Sequence, residues 1–185
     1  ELPAGTAALL LIAVDGHPQD VEDRATRMAR FCREQGARPV LRAKTGDEAE
    51  RLWKARKVIS PALLKVKPHK VSEDVVVPLG AIPALIAALE KISRRRGLII
   101  PSYGHAGDGN IHVNVLYDHQ APGEREMVNL AVEDIFTVVR ELSGTLSGEH
   151  GIGLTKAPYL GMELSEAAIA LQRRIKQAFD PQNIM

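Results

Sequence analysis

Two short glycine-rich stretches hold the residues whose types and spacing can do chemistry. "YGHAGDGNIHVNV" (103–115) sets His105 and His112 among three glycines, one aspartate and two asparagines. "SGEHGIG" (147–153) sets Glu149 beside His150, flanked by Gly148, Gly151 and Gly153. Two histidines and a glutamate make three ligands of a divalent metal with a position left open, which suits catalytic zinc first, and iron or manganese as alternatives. His150 then remains as a base that titrates near neutral pH. Arg56, Lys67 and Lys70 are cations able to hold a carboxylate, the arginine as a two-pronged fork. A plainer reading competes at each position. A histidine on a sheet is commonly a hydrogen-bonded or solvated residue, and a lone cation is commonly a solvated surface charge. Glycines at this density, however, point to close backbone approach.

Several familiar motifs are excluded. Glycines around Glu149-His150 prevent the helix that a His-Glu-x-x-His metal site needs. No Gly-Lys-Ser/Thr follows, so neither stretch is a phosphate loop of that kind. The spacing in "GHAGDG" differs from a dinucleotide fingerprint, and the segment precedes a strand rather than a helix.

The elements that must position these residues follow from periodicity. "TAALLLIAVDG" (6–16) is a continuous apolar run that reads as a buried strand. A helix follows, with Val21, Ala25, Met28, Ala29 and Cys32 at helical spacing and Gly36 as its stop. Residues 38–46 alternate as a second strand. Residues 46–60 read as a charged helix bounded by Pro61, residues 61–72 as irregular, and "EDVVVP" (73–78) as a short strand. Residues 81–97 form a helix with Pro83 in its first turn. "SRRRG" (93–97) closes it, where cations complement the helix dipole. "LIIPSYGH" and "NIHVNVLYD" form a hairpin around Asp108-Gly109-Asn110. Residues 122–144 form the longest helix, with Met127, Leu130, Ala131, Ile135, Val138, Val139 and Leu142 as its apolar stripe. A last helix, "SEAAIALQRRIKQAF", precedes Asp180-Pro181. The pattern implies an α+β fold: a mostly antiparallel sheet with helices on one face, close to a ferredoxin-like plait.

Strand parity refines the first stretch. Residues two apart share a face, so Asn110, His112 and Asn114 line one side while Val113 and Val115 face the core. The hairpin brings His105 alongside His112.

Bulk properties agree with an ordinary globular chain of 185 residues, 45% hydrophobic and 25% charged. A net charge of +1 gives no footprint for nucleic acid or an anionic membrane. Cys32 stands alone, which excludes a disulfide within the chain and a cysteine-based zinc site. No apolar run reaches the roughly 18 residues that span a bilayer. The sequence opens almost directly into a strand and stops at "FDPQNIM", so it is expected to be a piece of a longer protein. No linker or internal domain boundary stands out.

"GHAGDGNIHVNV", then "SGEHGIG", and finally "FDPQNIM" resemble the C-terminal half of FAD-linked oxidases of the vanillyl-alcohol oxidase superfamily. Its members include D-lactate dehydrogenase, D-2-hydroxyglutarate dehydrogenase and the flavin-bearing chain of glycolate oxidase. "EDVVVP" and the Leu52-Trp53-x-x-Arg56 pattern also fit. The resemblance spans almost the whole chain. It implies oxidation of a D-2-hydroxy acid to a 2-keto acid, with a hydride passed to FAD. It places the metal ligands on His105, His112 and Glu149 and the base on His150. It places carboxylate binding on Arg56, with Ser60 where relatives carry a hydroxyl, and further substrate contacts on Asn114 and Lys70. The family's FAD-binding half lies N-terminal to this region, and nothing in residues 1–60 resembles it. Residues 1–185 are therefore expected to be a cap, or substrate domain. The partners implied are a small 2-hydroxy acid, the FAD domain, other oxidase subunits, an electron acceptor and further copies of the chain. The location implied is cytoplasmic, with membrane association through partner subunits.

Two other classes stay open on the residues alone: a stand-alone metallohydrolase, and a ferredoxin-like binding module with structural His and Gly. The cap reading makes one direct prediction. The 185-residue chain, purified alone, is colourless and does not oxidise 2-hydroxy acids; a flavin absorption spectrum in the pure chain would count against it.

Overall fold

The computed structural model describes residues 5–185. The chain divides into two compact units, one ending at Ala62 and the other running Leu63–Met185.

The first unit is built on two helices, α1 (Pro18–Glu34) and α2 (Gly46–Leu63). α1 stops as its sequence demands. Gly36 takes φ +87 and donates to Arg33 O at 3.0 Å, while Ala37 N reaches Cys32 O at 2.9 Å. Those two bonds are a Schellman closure, and the left-handed residue is the glycine. α2 runs through Pro61 rather than stopping before it. The proline removes one backbone donor, and the helix extends only two residues beyond it. The two strands expected here, residues 6–16 and 38–46, do not form. A strand needs a neighbour to take its N–H and C=O groups. Every paired strand of the described residues lies in the second unit. Leu9, Leu10 and Leu41 accordingly remain 61, 66 and 70% exposed.

The second unit carries the sheet: β1 (His69–Val76), β2 (Ser102–His105) and β3 (Asn110–Tyr117), antiparallel in the order β1-β3-β2. This is the α+β arrangement expected, with three strands. β1 begins four residues earlier than the sequence pattern suggested, because His69 to Ser72 pair with Tyr117 to Asn114. The expected hairpin forms, and Gly109 at φ +83 turns it.

Two helices cover one face of the sheet, α3 (Ile82–Arg96) and α4 (Glu124–Glu141). Leu85, Leu89 and Ile92 of α3 and Val128, Ala131, Val132, Ile135, Phe136 and Val139 of α4 pack on Val75, Ile111, Val113 and Val115. Each large apolar side chain buried in this way contributes about 1.5–3 kcal/mol. The α4 stripe is turned slightly from the one anticipated: Val128, Val132 and Phe136 are fully inside, and Met127, Val138 and Leu142 sit at the edge. The arginines closing α3 do more than face the helix dipole. Arg95 and Arg96 both reach Asp134 of α4 at 2.7 Å.

After α4 the chain runs through a short helix α5 (Gly153–Lys156) and a 3-10 turn, Ala157–Met162, to α6 (Glu166–Phe179). Ser165 caps α6 by accepting from Ala168 N at 3.3 Å. No helix of the described residues is long and apolar enough to cross a membrane.

Glycine at 104 is a packing requirement of the hairpin. A Cβ there would lie 2.2 Å from Asn110 O and 2.8 Å from Ile111 Cα, both backbone atoms. Gly104→Ala must push β2 away from β3. It is expected to lower the stability of the second unit by roughly 1–3 kcal/mol, read as a drop in the denaturation midpoint. An unchanged midpoint would mean that the strands are not this close.

Candidate functional site

The site face of the sheet is the one opposite α3 and α4. Register puts Ser72 and Asp74 of β1 across from Asn114 and His112 of β3, and Tyr103 and His105 of β2 across from His112 and Asn110. Directly paired residues share a face, so strand parity is confirmed: Asn110, His112 and Asn114 line up together. That face is not solvated. Asn110, His112 and Asn114 are all buried, Asn114 completely.

A loop brings in the remaining residues. α4 ends in a Schellman closure in which Ser143, not a glycine, takes the left-handed turn at φ 60. Glycine is reserved for 144, where a Cβ would meet Val76 O at 2.3 Å. Thr145 can therefore bridge to the end of β1, with Val76 N to Thr145 O at 3.1 Å and the reverse bond at 2.9 Å. The next residues cross the strand end above Asp74.

There, three successive backbone N–H groups meet one carboxylate. Asp74 accepts from Gly148 N at 3.0 Å, Glu149 N at 2.8 Å and His150 N at 2.9 Å. Burial alone would push the Asp74 carboxyl up. The N–H groups of His150, Glu149 and Gly148, with the charge of Lys156, more than offset this and hold it below its ordinary 3.8. Lys156 is itself buried and donates to Asp74 O at 2.8 Å and Leu146 O at 2.7 Å, with Glu73 and Asp74 carboxylates 3.6 Å away. Burial pushes the Glu73 carboxyl above its ordinary 4.5, against the pull of Lys156.

Glu149 and His150 are thus delivered beside the histidines. His112 Nε2 lies 3.3 Å and His150 Nε2 3.6 Å from Glu149 Oε1. The His112 and His150 rings stack at 5.4 Å and 14°, and His105 meets His112 edge-on at 5.5 Å. Ligand atoms of His105, His112 and Glu149 all lie within 4.8 Å of one another. This is the trio expected from the sequence. Two imidazoles and a carboxylate match a zinc-like divalent cation, and the buried side-chain oxygen of Asn110 has no hydrogen-bond partner beside them. The donor set fits such an ion.

Lys70 and Asn114 are also brought together. Ser72 Oγ donates to Asn114 Oδ1 at 2.6 Å, and Lys70 Nζ lies 3.5 Å from the same oxygen. Arg56 and Ser60 belong to α2 in the first unit, one turn apart and hence on one side of that helix. A cavity of about 380 Å³ behind the loop touches the cluster only through Glu149, and Ile152, Leu160 and Leu164 help line it.

Asp74, Lys156 and Glu73 are site residues that the sequence pattern does not single out. Asp74 is legible in principle, since a strand begun at His69 pairs it with His112. The position of Lys156 depends on a four-residue helix that no periodicity announces. Nor do the glycine-rich segments hold a dinucleotide pyrophosphate. Gly104 and Gly109 serve strand contact, and the amides of 148–150 are already used by Asp74. The residues present do not fit that part of a flavin nucleotide.

The depressed carboxyl makes stability depend on pH. Ionised Asp74 stabilises the fold above its unfolded-state value, and that contribution is lost as pH falls through the lower native-state value. Asp74→Asn is expected to cost roughly 1.5–3 kcal/mol at neutral pH and to flatten the acid limb of the stability profile. Denaturation midpoints from pH 7 down to 3 test this; parallel profiles for the two chains would refute it.

A family model described as FAD linked oxidases, C-terminal domain, matches residues 1–185. The glycolate oxidase subunit GlcD of Bacillus subtilis (strain 168) is 39% identical over 184 residues, covering 100% of this chain and 39% of that protein. The mitochondrial D-lactate dehydrogenase [cytochrome] 1 of Saccharomyces cerevisiae is 39% identical over 149 residues, 77% of this chain and 25% of its own length. The D-2-hydroxyglutarate dehydrogenase of Stutzerimonas stutzeri is 29% identical over 180 residues, 95% of this chain and 38% of its own. The chain thus spans well under half the length of these relatives. It belongs to the C-terminal domain family of the FAD-linked oxidases.

Proposed function

We propose that this chain is the substrate-holding cap of an FAD-linked 2-hydroxy-acid oxidoreductase whose flavin is bound by a part of the protein outside residues 1–185. The observation that carries the reading is the convergence of His105, His112 and Glu149, with His150 stacked on His112, in a chain of this family. The relatives are named for glycolate, D-lactate and D-2-hydroxyglutarate, which share a carboxylate with a hydroxyl on the neighbouring carbon.

His105, His112 and Glu149 would hold a divalent cation, zinc before iron or manganese. When bound, it would supply Lewis acidity at the substrate hydroxyl, and FAD would serve as hydride acceptor. The residues of the chain do the rest. His150 is more than half exposed and would take the hydroxyl proton. Asp74 holds the backbone of Glu149 and His150 in place. Lys70 and Asn114 are assigned to the polar end of the substrate, and Arg56 with Ser60 to its carboxylate. Arg56 suits a bidentate grip that lysine cannot reproduce. The glycolate oxidase relative is named as one subunit of its enzyme, which suggests an assembly with other chains through which electrons leave.

The test uses the full-length enzyme. His112→Ala and Glu149→Gln are expected to lose bound metal and to reduce kcat/KM by roughly 10²–10⁴. His150→Asn keeps the metal and loses kcat to a similar degree. Arg56→Lys raises KM more than it lowers kcat. Normal turnover in both His112→Ala and Glu149→Gln would remove the proposed centre.

A further inference from the structure

A second constellation of ligand-type side chains stands at the other end of the sheet. His69 opens β1 and pairs in register with Tyr117, the last residue of β3. Asp118 and His119 follow at once in the turn to α4. Ligand atoms of His69, Asp118 and His119 all lie within 4.8 Å of one another. Tyr117 lies five positions along β3 from His112, about 17 Å at the rise of an antiparallel strand. The two clusters cannot share one ion.

The contact between these two histidines is not an ordinary hydrogen bond. His119 Nδ1 is 3.1 Å from His69 Nδ1 and 2.9 Å from His69 Nε2, nearly equidistant. The rings cross at 81° with centroids 4.2 Å apart. The His119 nitrogen therefore points at the face of the His69 ring, not along the in-plane direction of either nitrogen. A hydrogen bond needs that in-plane direction. The edge of one ring thus meets the face of the other, a poor direction for a hydrogen bond.

The neighbouring charges are otherwise engaged. Glu124 accepts from Lys67 at 2.8 Å and from Asp118 N at 2.6 Å. Arg125 donates to the Tyr117 hydroxyl at 2.8 Å and lies over that ring. Asp118 uses Oδ1 on Gln120 N at 2.9 Å, which leaves Oδ2 for a further partner. The terminal torsions of the two histidines are broad, so their ring orientations are adjustable.

We propose that His69, Asp118 and His119 form a second divalent-metal site, which clasps the start of β1 to the turn between β3 and α4. Two imidazoles and one carboxylate select zinc, nickel or copper over calcium or magnesium, whose preferred ligands are all oxygen. His119 is exposed and the other two are half-buried, so the ion exchanges with solvent and serves as a clamp. This assignment does not depend on the function of the first cluster.

Zinc binding to the full-length protein, counted by equilibrium dialysis against Zn²⁺, decides it. His119→Ala, a surface change, is expected to bind one zinc fewer than the parent. It should also lose the zinc-dependent rise in Tm while keeping full turnover. The doubly substituted His105→Ala/Glu149→Gln protein keeps that zinc and that rise in Tm. An unchanged zinc count in His119→Ala overturns the proposal. So does loss of the second zinc from the doubly substituted protein, because the ion would then belong to the first cluster.

Discussion

The local geometry of the site depends on one buried carboxylate. Asp74 is almost wholly removed from solvent, and a lone ionised group in that position would be strongly disfavoured. It is tolerated because three consecutive backbone N–H groups, those of 148–150, all point at it. The dependence runs both ways. A glycine-rich loop has no helix or ladder to satisfy its amides, and without Asp74 those donors would have to find water. One charge thus organises the loop, and the loop stabilises the charge. Glu149 and His150 are adjacent in sequence, so holding their amides sets the backbone from which both side chains leave beside His112.

The sheet makes that bond possible. β1 is paired on one side with β3 and at its end with Thr145, so the loop leaves the strand at a set height. Gly144 allows the approach to Val76, and Ser143 accepts the strained turn that a glycine would otherwise take. Lys156 then ties Asp74 O to Leu146 O from below. Its charge sits between Glu73 and Asp74, one on each face of the strand. Core packing and site geometry therefore meet in the same strand: Val75 points into the apolar layer while Asp74 points into the polar one.

Much of this is legible in the sequence, and the part that is not has a physical reason. The hairpin, the shared face of Asn110, His112 and Asn114, and the joining of His105, His112 and Glu149 follow from period, turn chemistry and ligand type. Helix stops at Gly36 and Gly97 follow from the left-handed residue each closure requires. Residues 6–16 and 38–46 mislead because apolar runs and alternation describe a strand's side chains, whereas a strand also needs a partner for its backbone. The polar face misleads in another way. Its residues suggest a wet surface, but hydrophilic side chains can be buried when they satisfy one another, as Ser72 and Asn114 do. Asp74 is hard to recognise because its role is made by residues seventy-four to seventy-six positions away, and Lys156 because its burial depends on the path of an irregular loop.

The burial pattern of the cluster separates what is fixed from what is open. His112 and Asn114 form an inner wall held by the sheet, where water is excluded and polar contacts count for more than at the surface. His105, Glu149 and His150 form an outer, exposed rim. The base proposed at His150 would have to meet its substrate and then release a proton, and the residue is exposed. Of the three proposed ligands, burial fixes His112, while His105 and Glu149 stand on the rim. The side chains of Glu149 and His150 reach outward from an anchored backbone. The cluster thus combines a buried floor, held by the sheet, with an accessible rim.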